Sequence, residues 1–487
     1  MKLKELLSGI DVLESNADPE LEIEEIHYDS RKVGPGGLFV AVTGFATDGN
    51  RFIPMAMEKG AAAVVTAKRP ENRTVPYVLV PSDRLALAML ACNFYGHPAK
   101  SMTMVGITGT YGKTSVTLLL KHVLEQCLGA KVGLIGTMAN MVGGEVLPTE
   151  RTTPESLELQ ALFARMRSAG CTHVVMEVSS HAIALDRVGG VHFDAAAFTN
   201  LTEDHLDFHK TMDAYCDAKA QLFGRCDGAV VNGDDPYAPK MLEKAACPVL
   251  ITGLEKEAAL RAEDVTLHAE GVSFTAVQGE QRVAVSLPIP GRFTVYNALT
   301  VLGLAQTLGI SLPDAAEALG RAKGVKGRVE VVPTPGMPYS VLIDYAHTPD
   351  GLENVLRSVR DFCKGRVIAV FGCGGDRDPM KRPIMGHIGV SLADVAVITS
   401  DNPRTEEPMA IIRDILTGVK KEDGEYIVIE DRCKAIRFAM DIGKKNDIIV
   451  LAGKGHETYQ DIGGRKRHLD EREEVAAHLA ELRNQNG

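Results

Sequence analysis

The segment Gly106-Ile-Thr-Gly-Thr-Tyr-Gly-Lys-Thr-Ser115 constrains the fold more than any other part of this chain. An apolar run at 102–107 leads into it, and a helical pattern at 115–128 leads out. Between a strand and a helix, such a loop has a physical purpose. Its backbone N–H groups, with the helix N-terminus, attract a polyphosphate. Lys113 is placed to reach the β- and γ-phosphates, and the Thr114 hydroxyl to sit on Mg²⁺. The strict spacing G-x-x-x-x-G-K-T is not met, because Ile107 stands at its first glycine; the match begins at Gly109 as G-x-x-G-K-T. The loop predicts an α/β domain and leaves a kinase, a GTPase and a ligase open.

A chain of 487 residues has room for about three domains. Hydrophobic residues at 45% and charged residues at 24% exclude a mostly disordered chain. The net charge of −11 argues against nucleic acid as a partner. Nine cysteines without a C-x-x-C pair read as free thiols in a reducing compartment, with no disulfide framework or zinc ribbon. No apolar run approaches the ~18 residues of a membrane span. The opening MKLKELLSGI reads as an amphipathic helix. A soluble, cytoplasmic protein without stable membrane insertion is expected.

Short apolar runs at 39–42 and 61–65 suit buried strands, and Tyr95-Gly-His-Pro-Ala-Lys100 reads as a linker. Strand-like and helix-like segments then alternate from 102 to 231, the pattern of a doubly wound α/β sheet. Residues 265–287 look like short antiparallel strands, an extension of the same domain. Near 330 the alternation restarts, with parallel strands expected at 340–343, 366–371, 395–399 and 447–451. The expected architecture is α/β in three domains, 1–98, 99–330 and 331–487.

Several strand ends carry polar groups. Glu177 closes the apolar run in Val174-Val-Met-Glu-Val-Ser-Ser-His181, where an α/β sheet faces its ligand, and it can hold a metal or be a buried structural carboxylate. Residues 203–209 hold three acids and two histidines, among them His205 and Asp207; taken alone, such a loop is more often only solvated. Lys219, on a probable helix, reads by itself as a surface lysine. Three polar turns, Gly372-Cys-Gly-Gly-Asp-Arg-Asp378, Asp401-Asn-Pro-Arg404 and Gly453-Lys-Gly-His-Glu457, follow three strands of one sheet and should converge. They offer Arg377, Arg404, Asp401 and Glu457 to a ligand bearing carboxylate and ammonium groups. Arg465-Lys-Arg-His468 reads as a solvated surface.

These motifs in this order resemble the Mur ligases of bacterial cell-wall synthesis. The likeness runs from Asp29-Ser-Arg31 through Thr47-Asp-Gly49, the Gly-Lys-Thr loop, Thr152-Thr-Pro154, Asp204-His-Leu-Asp207 and Asp344-Tyr-Ala-His-Thr-Pro349 to Gly453-Lys-Gly-His-Glu457. It implies a UDP-binding N-terminal domain, a central P-loop ATPase with a parallel sheet, and a Rossmann-like C-terminal domain. It implies ATP-dependent amide formation on UDP-MurNAc-L-Ala-D-Glu through an acyl phosphate, by a chain that acts as a monomer. Tyr28, Ser30, Phe45, Ala46 and Thr47 then match the uridine nucleotide site, and Thr152, Thr153, Ser179 and Arg187 the muramoyl-peptide site. Gly109, Thr110, Gly112, Lys113, Thr114, Ser115, Asn297, Arg328 and Asp344 match the ATP site. Thr114, Glu177 and His205 match Mg²⁺ ligands, and Lys219 matches a lysine carbamylated by CO₂ that helps position a second ion. Lys113, Lys219, Glu177 and His205 form the catalytic set.

Arg377, Asp401, Asn402, Pro403, Arg404, Gly453 and Glu457 match the amino-acid site. The Asp-Asn-Pro-Arg form goes with meso-diaminopimelate, whose second carboxylate Arg404 can fork onto; lysine has none. The sequence departs from the family at Tyr111, where Asn is usual, and at Leu185 and Arg151 beside the peptide. A different Mur ligase or the related folylpolyglutamate synthetase shares the ATPase core. A phosphotransferase and a non-catalytic nucleotide-binding protein are the readings from other classes.

Overall fold

A computed structural model describes every residue except Phe45, Ala46, Lys256, Glu422 and Gly487, and describes no side chains at 484–486. Phe45 and Ala46, expected at the uridine site, thus lie outside the described residues. The chain divides into two compact units, Met1–Gly253 with Thr300–Ser311, and Leu254–Leu299 with Leu312–Gly487.

The first unit holds two sheets. In the smaller one the order is Glu14–Ser15, Tyr77–Leu79, Ala63–Thr66, Gly37–Ala41, Glu25–His27, parallel except for the first pair. The helix Asp83–Phe94 packs Ala86, Leu87 and Leu90 against Leu38, Val40 and Val65, and Ser82 caps its start. In the larger sheet six strands run parallel: Val249–Gly253, Ala229–Asn232, Ala195–Phe198, Thr103–Thr108, His173–Glu177 and Val132–Ile135. Most are apolar and fully buried, as strands covered on both faces must be. Register pairs Glu177 with Ile107 and Phe198 with Thr108, so three carboxyl ends are level around the glycine loop. The helix after that loop is Lys113–Leu128, starting two residues before the apolar pattern because Gly112, at φ +86°, turns the chain into it.

The second unit holds an antiparallel set, Leu260–His268, Gly271–Gln278 and Gln281–Leu287, with the helix Leu312–Gly320 against it. Its main sheet has the order Glu330–Val332, Ser340–Asp344, Ile448–Ala452, Val367–Phe371, Val395–Ile398, Tyr426–Val428, parallel except for the first strand. One face is covered by Pro349–Arg360, Lys381–Leu392 and Pro408–Leu416, the other by Arg432–Asp441 and Glu471–Asn486. This is the α/β class expected, with the four expected strands in place. The N-terminal helix is shorter than its pattern, Leu3–Leu6, because the chain turns at Gly9 with φ +72°. Among the described residues no helix is long and apolar enough to cross a membrane, and the nine cysteines are free thiols.

Candidate active-site clusters

In the first unit the glycine loop is held by its neighbours. Gly109 has φ +149°, and a Cβ there would lie 1.9 Å from Thr199 Oγ1. Thr199 Oγ1 donates to Tyr111 O at 2.6 Å, and Asn200 accepts from Tyr111 N through Oδ1 at 2.9 Å and from Thr110 N through its carbonyl at 2.9 Å. Tyr111 thus serves the loop through its backbone, so its departure from Asn leaves the cradle intact. Thr110 Oγ1 lies 3.2 Å from Tyr215 Oη. Lys113 Nζ donates to Gly109 O and Thr110 O, both at 2.8 Å, while Ser115 sits half-buried in the first helical turn.

Lys219 overturns its reading as a surface group. It is 1% exposed, donates to Gly109 O at 2.8 Å and lies 4.5 Å from the Tyr215 ring centroid. Burial first, then the nearby Lys113 ammonium, pushes its pKa well below the usual lysine range. His205, at φ +54°, has its ring 4.7 Å from that of His181. Burial lowers its pKa, and Lys113 and Lys219 add to this against Asp204. A neutral imidazole is thereby favoured, the form that ligates metals.

Glu177, 1% exposed, accepts from Thr114 Oγ1 and from Thr137 N through Oε1, both at 2.9 Å, and from Thr137 Oγ1 through Oε2 at 3.0 Å. Thr137 Oγ1 also lies 3.0 Å from Thr152 Oγ1, which joins the loop to the candidate peptide-site residues. Thr153 Oγ1 donates to Glu177 O at 2.8 Å, and Ser179 caps the helix Ser180–Ala184 through Ala182 N. Arg187 donates to Thr153 O at 3.1 Å and pairs with Glu155 at 2.8 Å; Arg151 also binds Glu155, at 2.6 Å. Thr137, Thr199 and Asn200, which hold Glu177 and the glycine loop, are candidate site residues that sequence reasoning missed. The strand-end position of Thr199-Asn200 was the available signal.

The candidate uridine residues lie in the smaller sheet's part of this unit. Tyr28 Oη donates to Glu158 at 2.8 Å, Ser30 is buried against Met55, and Thr47 is exposed.

In the second unit Asp344 ends the strand Ser340–Asp344 and accepts from Val329 N at 2.8 Å. Burial raises its pKa against the pull of Arg328, whose guanidinium lies 5.1 Å from the Tyr345 ring. Asn297 is buried in the helix Arg292–Thr307.

The three polar turns do converge. Gly375 N donates to Asn402 O at 2.9 Å, and Arg404 Nη1 donates to Gly375 O at 2.5 Å. A Cβ on Gly375 would lie 2.0 Å from Pro403 O, and one on Gly453 (φ +118°) 2.4 Å from Asp401 Oδ2. Asn402 Nδ2 donates to Glu457 Oε2 at 2.8 Å. Arg377 stands exposed at the rim. The hairpin of Tyr459–Ile462 and Arg465–His468 closes one side: Gln460 Nε2 donates to Asp401 O at 2.6 Å and Arg404 N to Asp461 O at 3.0 Å. Its basic strand 465–468 is exposed, as expected.

Family models match in chain order: "Mur ligase family, catalytic domain" over 22–95, "Mur ligase middle domain" over 107–305, and "Mur ligase, glutamate ligase domain" over 327–455. The chain is similar to a protein of Clostridium botulinum named UDP-N-acetylmuramoyl-L-alanyl-D-glutamate--2,6-diaminopimelate ligase, at 48% identity over 95% of this chain and 96% of the relative. A protein of the same name from Caldanaerobacter subterraneus is 48% identical over 99% of both chains. A solved structure of a ligase of that name superposes with a TM-score of 0.74 at 30% identity, over 99% of both chains. The chain belongs to the Mur ligase family.

Proposed function

We propose that this chain adds meso-diaminopimelate to UDP-MurNAc-L-Ala-D-Glu at the expense of ATP, in peptidoglycan precursor synthesis. The observation that carries the reading is the turn Asp401-Asn-Pro-Arg404 held against Gly375, Gly453 and Glu457, in a chain whose full-length relatives are named for that reaction. The D-Glu carboxylate attacks the γ-phosphorus of ATP, ADP leaves, and an acyl phosphate forms. The amine of diaminopimelate then attacks the acyl carbon, phosphate leaves, and a proton is lost from nitrogen. Two anions must meet in the first step, and Lys113 with the loop's N–H groups offsets their repulsion.

Thr114 and Glu177 present a hydroxyl and a carboxylate together, a donor set suited to a hard cation that keeps water and phosphate as its other ligands. They would hold Mg²⁺, with His205 and carbamylated Lys219 completing the metal residues. Mg²⁺ supplies charge neutralisation at the phosphates. Lys219 suits carbamylation because burial favours its neutral amine: nitrogen attacks CO₂, an N–C bond forms, and a proton leaves. Asn297, Arg328 and Asp344 hold the nucleotide in this reading. Tyr28, Ser30, Phe45, Ala46 and Thr47 take the uridine nucleotide, and Thr152, Thr153, Ser179 and Arg187 the peptide. Arg404 and Arg377 face the distal carboxylate of diaminopimelate, and Glu457 its ammonium. The domains are 1–98, 99–330 and 331–487, a division supported by three separate parallel or mostly parallel sheets. The protein works as a cytoplasmic monomer, without nucleic acid or stable membrane insertion.

The test is phosphate release and product mass with ATP, Mg²⁺, UDP-MurNAc-L-Ala-D-Glu and a panel of amino acids. The product should gain one diaminopimelate residue, with lysine nearly silent. Arg404→Ala should raise the KM for diaminopimelate about 30-fold or more, the effect of ~2 kcal/mol or more for a truncated ion-pair partner, with the KM for ATP unchanged. Lysine as the better substrate overturns the specificity, and no product with any amino acid overturns the reaction.

A further inference from the structure

Lys454 has no role in the assignments above, yet its side chain is 0% exposed. A buried ammonium is costly unless several groups hold it. Its Nζ donates to Asn402 Oδ1 at 2.7 Å and to Glu457 Oε2 at 3.2 Å, and lies 3.7 Å from Asp401 Oδ1. The Tyr459 ring covers it, with its centroid 5.6 Å away. All three oxygen partners belong to the candidate amino-acid site.

These contacts set orientations. Asn402 Oδ1 accepts twice, from Lys454 and from Asp461 N at 2.9 Å. An amide so held turns its nitrogen the other way, and Nδ2 donates to Glu457 Oε2 at 2.8 Å. Glu457 Oε2 therefore meets two donors, and Oε1 is the oxygen left to a ligand.

The charges point the same way. Counting only the side chains that Lys454 touches, Asp401 and Glu457 bring two carboxylates against its one ammonium, a local surplus of one negative charge on which the nearby Lys381 and Arg432 also act. Behind them Arg432 and Glu471, both 0% exposed, balance each other at 2.7 Å, and Arg432 Nη2 donates to Ala452 O at 2.9 Å. A cluster one negative charge in surplus fits one ammonium. The far end of diaminopimelate presents one ammonium beside the carboxylate that Arg404 would take.

We propose that Lys454 is a positioning residue for the amino-acid substrate: it holds Asn402 and Glu457 in register and cancels one of the two carboxylates. The proposal rests on the reading of 401–404, 453 and 457 as the amino-acid site. Steady-state kinetics on the full chain test it with Lys454→Met, Lys454→Arg, Glu457→Gln and the Met–Gln double variant. Lys454→Met should raise the KM for diaminopimelate about tenfold or more, while kcat at saturation and the KM values for ATP and the UDP-dipeptide stay within about twofold. Lys454→Arg keeps the charge on a different shape and should recover part of the loss; it decides the matter if the Met variant does not fold. In the Glu457→Gln background the Met change should add less than about threefold, since a residue acting through Glu457 loses its target. An unchanged KM for diaminopimelate, an equal rise in all three KM values, or full additivity with Glu457→Gln overturns the proposal. Wild-type protein that makes no diaminopimelate product overturns the underlying reading instead.

Discussion

Replacing Gly109 with alanine tests the phosphate loop at its tightest point. Its φ of +149° lies where L residues are strained, at a cost of about 1–2 kcal/mol. The new Cβ would lie 1.9 Å from Thr199 Oγ1, well inside van der Waals contact, and 3.2 Å from both N and O of Asn200, a tight contact. Thr199 must move, and its hydrogen bond to Tyr111 O breaks; Asn200 Nδ2 still donates to that carbonyl at 3.2 Å, so the loss is that of one hydrogen bond, about 0.5–1.5 kcal/mol. Crowding in a packed site adds about 1–3 kcal/mol. These terms overlap, and a total of about 3–6 kcal/mol is expected, split between stability and nucleotide affinity. If about half falls on the loop's phosphate-binding shape, the Kd for ATP rises at least tenfold, since ~1.4 kcal/mol is one factor of ten. Calorimetric titration with ATP and Mg²⁺, beside thermal melting, reads both parts. Thr199→Ala added to Gly109→Ala removes the 1.9 Å clash and should recover part of the affinity, while backbone strain and the Asn200 contacts remain. Unaltered ATP binding by Gly109→Ala would refute the loop geometry. A double variant no better than the single would refute Thr199 as the obstacle.

The Arg432–Glu471 pair gives a stability prediction. Arg432→Met strands a buried carboxylate and should cost about 3–5 kcal/mol in urea unfolding, whereas Arg432→Met with Glu471→Leu should regain most of it; a double variant as weak as the single would contradict this. The histidine cluster gives a pH prediction. Burial, with His181 and Lys219 nearby, lowers the His209 pKa from 6.5 to about 4, so between these values the unfolded chain binds more protons. Stability should therefore fall as the pH is lowered from about 6.5 toward about 4. The urea midpoint of His209→Gln should be less pH-dependent in that window, and an unchanged slope would show that other groups carry the effect.

Much of the fold was legible because its signals are short-range. Apolar runs near Thr103–Thr108 and Ile448–Ala452 read as buried strands. The turns at Gly372, Asp401 and Gly453 follow strands of one sheet, so their convergence could be argued before any side chain was seen. Lys219 could not be read this way. On the helix Met212–Ala220 it looks like any lysine beside Asp217, and only packing brings it to a carbonyl 110 positions away. Lys454 sits in a run that reads as a good turn, and its partners Asn402 and Glu457 come from two different turns. Thr199 and Asn200 bind a loop nearly 90 residues earlier. No periodicity marks such pairs. Resemblance to a family could nominate Lys219, but composition and spacing could not bury it.

By itself, the sequence determined an α/β protein with parallel sheets, a phosphate loop and polar turns at strand ends, because strand, turn and loop chemistry depend on residues a few positions apart. Tertiary structure decided which polar groups meet: Thr114 with Glu177, Lys219 with Gly109 O, Lys454 with Asn402 and Glu457. It also decided the protonation of Lys219, because burial and neighbouring charge depend on everything packed around a group. That is why Lys219, on a helix that looks exposed, is pushed toward the neutral amine, the form that the proposed carbamylation needs.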